Sequence, residues 1–456
     1  MLLVNLTPTT NQFGAYAQDS WSIKDVVTLN AGIRYDSQQL YDATGRLGMA
    51  LNNMFSPRVG VLWDPTNQGR SKVYANFARY YQSMPLNIAD RALSGENQAG
   101  YQRACTTPVK DPNAVNEPSC ETYRFIGGAS SPSRYAQITG QGRSPVDPNL
   151  QAQAKDELSF GGEYEIVPSV RAGVSYTRSW VLNIIEDMSN DEASSYFIGN
   201  PGIGLASGFP KATRDYDAVT VFASKAMSDG WFAQASYTWS YLRGNWAGFI
   251  RPETNQIDPG SNSTFDLKSL LDNQEGPLPG DRTHAIKAFA SKQFILPAGF
   301  HLLLGLTYFA SSGTPINYLG GHLLYGTGEA YILPRGSAGR TPWVHDISLK
   351  GAVGYAINKD LNVELTVDML NMMNFAAVTA VDENYTQENV LPYKVASGQN
   401  AQSAICADSP DSSCVTKVVR TEDNGFLTGD QISPNFKQAN AYQPPRQVRF
   451  GIKFTF

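Results

Sequence analysis

Acidic and amide oxygens that could bind a hard cation stand side by side at Asp382, Glu383 and Asn384. Calcium prefers oxygen ligands of this kind, but the stretch lacks the alternating acidic spacing and the central glycine of an EF-hand loop. A solvated loop is therefore the favoured interpretation, and a calcium site is the alternative. The sequence predicts no metal site and no cofactor.

The histidines, which could act as bases or metal ligands, are scattered at His284, His301, His322 and His345. No grouping of serine, histidine and aspartate carries a nucleophile motif such as GxSxG. The glycine-rich run 320–328 lacks the lysine and the strand-to-helix setting of a phosphate-binding loop, so loop flexibility is its favoured explanation. The chain is predicted not to be an enzyme.

The cysteines form two closely spaced pairs in long polar segments, Cys105 with Cys120 and Cys406 with Cys414. Neither pair has CxxC spacing or a neighbouring histidine, which a zinc site would be expected to show. We predict two local disulfides, which fit an oxidising compartment, and keep a zinc site as the alternative.

Charged side chains recur on the polar side of segments that alternate in character. Their mixed signs predict a wet interior surface or a contact with another domain, rather than a site for a ligand of one charge. Specific ligand binding by these residues is the alternative. The set is Arg34, Arg58, Glu163, Glu364, Asp368, Arg449 and Lys453.

The elements that position these charges are β-strands. In 446–456 the apolar residues alternate with polar ones and the chain stops on an aromatic residue, Phe456, which is typical of the closing strand of an outer-membrane barrel. In 231–241 an aromatic and alanine row alternates with Gln, Ser and Thr. About thirteen such strands are predicted. They are 12–21, 27–35, 55–63, 72–81, 158–165, 170–177, 216–225, 231–241, 283–294, 300–310, 347–355, 361–369 and 446–456.

The connections between these strands alternate between short turns and long polar segments. The long ones are roughly 36–54, 83–150, 187–212, 243–280, 312–343 and 372–445. This pattern predicts an antiparallel transmembrane β-barrel with periplasmic turns and long extracellular loops. Aromatic residues gather near both strand ends, which predicts two belts at the level of the lipid headgroups.

Bulk composition sets limits on function. The chain has 456 residues, 42% of them hydrophobic, yet no apolar run long enough for a membrane-spanning helix. Basic residues number 36 against 41 acidic ones, so no cationic surface for nucleic acid is indicated.

An odd strand count cannot close a barrel by antiparallel pairing alone. Either one strand is miscounted or an amino-terminal part is missing. We favour the second, because the loop-like stretch 1–11 has no charged n-region, apolar h-region or cleavage site of a secretory signal.

Several motifs resemble a known family. The segments FGAYAQDSW at 13–21 and LNAGIRYD at 29–36 resemble the strand-turn-strand signature of TonB-dependent outer-membrane transporters. The segments DELSFGGEY at 156–164, GDRTH at 280–284, SSGTPIN at 311–317, LPRGSAGRTP at 333–342 and NMMNF at 371–375 resemble the Oar-like branch of that family. The likeness spans nearly the whole chain.

The resemblance implies a barrel of about 22 strands, a plug domain inside it, and a TonB box that couples to the inner-membrane energy complex. Residues 1–11 are too few for a plug, a box or the amino-terminal β-sandwich of the Oar-like branch. We therefore expect 12–456 to be the carboxy-terminal part of such a barrel.

The expected function is that of a receptor and transporter in the cell outer membrane that moves a bulky peptide, glycan or protein. The alternative is a surface-binding or adhesive barrel without active transport. Expected partners are outer-membrane lipid, the barrel-assembly machinery through the last strand, and the TonB complex through a plug absent from this chain. No nucleic-acid partner is expected.

Overall fold

The computed structural model describes residues 8–42, 44–88, 92–93, 97–101, 103–109, 119–125, 134–139, 144–254, 262–358, 361–395, 419–421 and 425–456. For the pieces between 97 and 139 it describes the backbone alone. Within these ranges no helix has the length and apolar character to cross a membrane.

Thirteen strands follow one another in chain order through a single sheet, and a two-residue strand, Gly276–Pro277, pairs beside them. Every pairing between successive long strands is antiparallel. The long strands are β1 Thr9–Ile23, β2 Val27–Tyr41, β3 Leu47–Trp63, β4 Ser71–Tyr81, β5 Ala154–Val167, β6 Val170–Leu182, β7 Arg214–Ser228, β8 Trp231–Gly244, β9 His284–Ile295, β10 Phe300–Ser311, β11 Val344–Ala356, β12 Asn362–Leu370 and β13 Gln447–Thr455.

The predicted strands are confirmed, since each one coincides with an observed strand to within a residue or lies inside it. The first long loop, predicted at 36–54, is wrong: β2 runs to Tyr41 and β3 begins at Leu47. The ladder continues here because Leu40, Met49 and Leu51 pack into a buried cluster. β1 begins at Thr9, inside the stretch 1–11 that was expected to be loop-like.

The short turns lie together at one rim of the sheet. One of them joins β7 to β8, where Asp229 and Gly230 both have positive φ, 51° and 70°. Two successive positive φ values match the two-residue hairpin turns whose twist suits the flanking strands. We call this edge of the sheet the turn rim.

β1 and β13 run in the same direction, because thirteen strands in one antiparallel order are separated by an even number of reversals. In the described part of the chain each is an edge strand, and the sheet does not close into a barrel. The odd count therefore holds for the long strands in the described part of the chain.

The connections at the opposite rim are 82–153, 183–213, 245–283, 312–343 and 371–446, and their described parts pack against one another. We call them the outer cap. They contain short strands, one short helix and several 3-10 turns. The described ones are Leu86–Ile88 (helix), Asn97–Tyr101, Arg103–Val109, Ser119–Phe125, Arg134–Thr139, Glu186–Met188, Phe197–Gly199, Gly204–Ala206 (3-10), Pro252–Thr254 (3-10), Ser263–Phe265 (3-10), Lys268–Leu271 (3-10), Pro315–Ile316, Leu319–His322, Gly326–Tyr331, Gly339–Arg340, Val378–Val381, Asn384–Leu391, Arg420–Thr421, Gly429–Gln431 (3-10) and Ala439–Tyr442.

The outer cap has hydrophobic cores of its own. One cluster joins the last two connections around Tyr318, Ile332 and Tyr385, all fully buried. A second lies between β2, β3 and the connection after β4, and a third joins 183–213 to 245–283 around Phe265. Apolar residues scattered through polar loop sequence meet only when the loops fold together, so these cores were not predicted.

Candidate functional site

The cross-strand register assigns every strand residue to one of two faces, because directly opposed residues share a face. Glu364 is opposite Lys453, and Asp368 is opposite Arg449. The face opposite to them carries Val448, Phe450 and similar side chains, and Phe450 is 81% exposed. The sheet thus has a polar face and an exposed apolar face.

All seven charged residues singled out in the sequence lie on the polar face. Arg34 is opposite Ser56, two positions from Arg58, and Glu163 is opposite Lys72. The carboxy-terminal four form one patch on β12 and β13, whereas Arg34, Arg58 and Glu163 lie toward the other end of the sheet.

Charges on the polar face have neighbours that offset them. Arg34 pairs with Asp36 at 2.7 Å, and Glu163 with Arg171 at 3.3 Å. On the other patch Lys350 lies 3.1 Å from Asp368, and His301 lies 3.6 Å from Glu364. The arrangement offers mixed charges rather than one signed site, and the roles of these residues stay predictions.

A second polar cluster lies inside the outer cap, and sequence reasoning missed it. Arg335 and Glu253 form an ion pair with side chains 0% and 2% exposed. The phenol of Tyr331 donates to Glu253 at 2.9 Å, and its ring lies 4.5 Å from the Arg335 guanidinium. Arg251 and Glu329 form a further ion pair beside Tyr331. The Arg251 guanidinium lies 5.3 Å from the centre of the Tyr331 ring. We call these five residues the charge lock.

The charge lock ties two connections of the cap together, since its members come from 245–283 and 312–343. Buried ion pairs of this kind need additional hydrogen bonds to be tolerated. Arg335 has them, because its Nε donates to the Gln274 carbonyl at 3.0 Å and its Nη2 to the Gln274 side chain at 2.7 Å. The lock therefore joins the two loops through buried, hydrogen-bonded charges.

Motifs that resemble the family supply several of these cap contacts. Asp281 of GDRTH forms an ion pair with Arg340 at the end of LPRGSAGRTP, which also contains Arg335. Asn317 of SSGTPIN accepts a hydrogen bond from the Gly336 amide at 2.7 Å. Of the charge-lock residues only Arg335 lies in such a motif, and no spacing in the sequence linked it to the other four.

The acidic triplet of the last connection is only partly solvated. The Glu383 carboxylate is half-buried and accepts hydrogen bonds from the Asn317 amide at 2.8 Å and its side chain at 2.6 Å. Asp382 accepts from the Asn384 amide at 2.9 Å. The solvated-loop interpretation is therefore wrong for Glu383. Among the described residues, no group of three or more His, Cys, Asp or Glu side chains is placed to hold a metal.

Because of the Glu383 carboxyl, we expect the stability of the outer cap to depend on pH. Burial, aided by Glu253, raises the pKa of its carboxyl to about 7. In the unfolded chain this carboxyl titrates near its ordinary pKa. Between that pKa and about 7 the folded cap binds more protons than the unfolded chain does, so its stability falls as the pH rises. We expect a loss of about 2 kcal/mol between pH 5 and pH 7. Hydrogen exchange of 312–343 at the two pH values measures it, and Glu383→Gln should remove this part of the dependence.

The glycine-rich run is a packed hairpin, so the flexibility interpretation is wrong. Leu319–His322 pairs with Gly326–Tyr331, and the first of these strands is buried throughout. A Cβ at Gly320 would lie 2.6 Å from Val390 Cγ2, and one at Gly321 would lie 2.8 Å from Asn389 Oδ1. Glycine is needed here for close approach to the neighbouring strand Asn384–Leu391.

The histidines are not gathered into a site. His284 and His345 stack on either side of Trp343, with ring centres 5.8 and 6.0 Å away, on the cap side of the apolar face. Tyr237 shares a 2.8 Å hydrogen bond with His284. These rings lie together at the cap-side end of the apolar face, and the belt stays a prediction. His322, in the cap, lies 3.1 Å from Ser269 Oγ.

The side chains of the four cysteines lie outside what the structure describes, so neither predicted disulfide is tested. Cys406 and Cys414 fall in 396–418, which the structure does not describe. Cys105 and Cys120 lie on two paired strands, Arg103–Val109 and Ser119–Phe125, of which the backbone alone is described. Both pairings stay predictions.

A sheet with one exposed apolar face, one polar face, short turns at one rim and packed loops at the other defines a β-barrel protein of the outer membrane. Residues 4–372 match the family described as TonB dependent receptor-like, beta-barrel. Over 98% of its length the chain is 44% identical to the TonB-dependent transporter Oar of Myxococcus xanthus. The chain therefore belongs to the TonB-dependent receptor family, whose barrels reside in the outer membrane.

The chain spans 43% of the length of that relative. Solved structures with similar strands include the ferric-catecholate import receptor Fiu of E. coli, at 13% identity and a TM-score of 0.45, with 82% of this chain and 42% of that one covered. The FrpB iron transporter of Neisseria meningitidis aligns at 15% identity and a TM-score of 0.47, with 82% and 43% covered.

Proposed function

We propose that this chain is the loop-bearing part of a TonB-dependent transporter, which captures a bulky ligand at the outer cap and passes it along the polar face. Membership of the family carries the proposal. The packed cap supports it, because a ligand site needs groups held in fixed positions and the charge lock holds two of the loops. In this proposal the turn rim faces the periplasm and the cap faces outward.

The apolar face contacts outer-membrane lipid in the same proposal, and β13 is the strand that the barrel-assembly machinery binds. Exposed Ile452, Phe454 and Phe456 support a lipid contact, since a large exposed apolar surface is unusual in a soluble protein. Carbonate washing of membranes tests it. Release of the protein without detergent would rule out the membrane contact.

Energy coupling is tested on the gene and on the protein. We expect the reading frame to continue upstream into further strands, a plug and a TonB box. Photo-crosslinkers in that box should then capture the carboxy-terminal domain of TonB, whereas a scrambled box should not. A frame that encodes a signal peptide followed directly by strands would favour an adhesive barrel and would contradict transport.

A further inference from the structure

Two lysines interrupt the apolar face near the turn rim. Lys225 on β7 is opposite Ala233, and Lys292 on β9 is opposite Trp231 on one side and Leu304 on the other. Both lysines therefore lie on the same face as Trp231, on the two strands that flank β8. Cations on such a face are costly unless they reach the polar interface at its edge.

Both ammonium groups lie at the β7–β8 turn. Lys225 Nζ donates to the Ser228 carbonyl at 3.0 Å and is 4.3 Å from the centre of the Trp231 ring. Lys292 Nζ donates to the Asp229 carbonyl at 2.7 Å. The turn contributes one carboxylate, Asp229, against these two ammonium groups, so the rim is cationic at this point.

Two apolar grooves begin at the same place. One, of about 760 Å³, is lined by Lys292, Leu304 and Gly351; the other, of about 330 Å³, is lined by Lys225 and Ala235. Trp231 and Leu306 line both grooves. The small residues form the floor, and a Cβ at Gly351 would meet no atom within 4 Å. The volumes are comparable to those of ligand pockets, roughly 300 to 1,000 Å³.

We propose that this surface is a binding site for one anionic phospholipid of the periplasmic leaflet. Lys225 and Lys292 bind the phosphate, Trp231 lies at the headgroup level, and the two acyl chains occupy the two grooves. The excess of positive charge at the β7–β8 turn selects an anionic headgroup over a zwitterionic one. The assignment rests on the orientation given in the proposed function, in which the turn rim is periplasmic.

Native mass spectrometry of the protein, extracted from outer membranes as it is expressed there, tests the site. Dioleoyl phosphatidylglycerol and dioleoyl phosphatidylcholine are titrated separately in detergent. The unmodified protein should retain phosphatidylglycerol preferentially, and Lys225→Gln with Lys292→Gln should lower its retention about 5- to 30-fold. Retention of phosphatidylcholine, whose phosphate is offset by its own choline cation, should fall much less. Lys72→Gln is the matched control, because Lys72 also lies over an aromatic ring, at 5.3 Å from the Tyr74 ring centre, but on the polar face.

Three outcomes would overturn the site: equal retention of the two lipids by the unmodified protein, unchanged retention in the double variant, or an equal loss in Lys72→Gln. Heat-modifiable migration on gels identifies the folded barrel in each variant, and Lys225→Arg with Lys292→Arg, which keeps the charge, should retain the lipid. Carbonate washing of the same membranes separates the two proposals. A protein that stays in the pellet but shows no preference disproves the lipid site alone, and one that washes off disproves the membrane assignment.

Discussion

Replacing Arg335 with alanine is expected to destabilise the outer cap by about 3 to 5 kcal/mol. The side chain is fully buried, and its removal leaves the Glu253 carboxylate, 2% exposed, without its cation. It also removes the hydrogen bonds to Gln274 and the cation that lies over Tyr331. Hydrogen exchange of 245–254 and 312–343 is the measurement, because it reports the opening of the cap separately from unfolding of the sheet.

An exposed pair in the same cap provides the control. Lys394 lies 3.0 Å from Asp272, but its side chain is 74% exposed. Lys394→Ala should therefore cost less than about 1 kcal/mol. Combining Arg335→Met with Glu253→Gln should recover much of the loss, because no buried charge is then left alone. Equal protection in Arg335→Ala and Lys394→Ala would contradict the charge lock.

The strands could be predicted from the sequence because their signal is local. A period of two in apolar character is visible within ten residues, and a register shift of one residue would turn every side chain to the wrong face. The alternation around Glu364 and Lys453 therefore assigns these side chains to one face and excludes registers of β12 against β13 that are shifted by one residue. The same reasoning gave the odd strand count.

The cap could not be predicted because its contacts are distant in sequence. Arg335 and Glu253 are separated by 82 positions, and Glu383 and Asn317 by 66. Neither partner has a periodic neighbourhood that indicates burial. Polar composition was taken to mean exposure, yet many polar side chains of the cap satisfy one another in its interior, as Asn273 does when it donates to the Tyr393 carbonyl at 3.0 Å.

Ala235→Arg is expected to destabilise the folded sheet by about 2 to 4 kcal/mol, the cost of a cation near the middle of a lipid-facing surface. Ala235 is exposed on the apolar face, between Trp231 and Trp239 of β8, and is opposite Ala223 and Ala288 on the flanking strands. The residues directly opposite, Ala223 and Ala288, offer no carboxylate to a guanidinium there. Denaturant titration in vesicles, with heat-modifiable migration as the readout of folding, gives the free energy.

A substitution at the neighbouring residue shows whether the loss of stability comes from placing a charge on the apolar face or from arginine in this strand as such. Gln234 is the next residue on the same strand, on the polar face opposite Ser224 and Phe289. Gln234→Arg adds the same charge, with a smaller gain in volume, and places it toward the wet side, so we expect a change within about 0.5 kcal/mol. If both variants lose the same stability, arginine is disfavoured by strand packing rather than by lipid. If Gln234→Arg alone is destabilised, the two faces have been assigned the wrong way round, because only the face in contact with lipid penalises a charge in this manner.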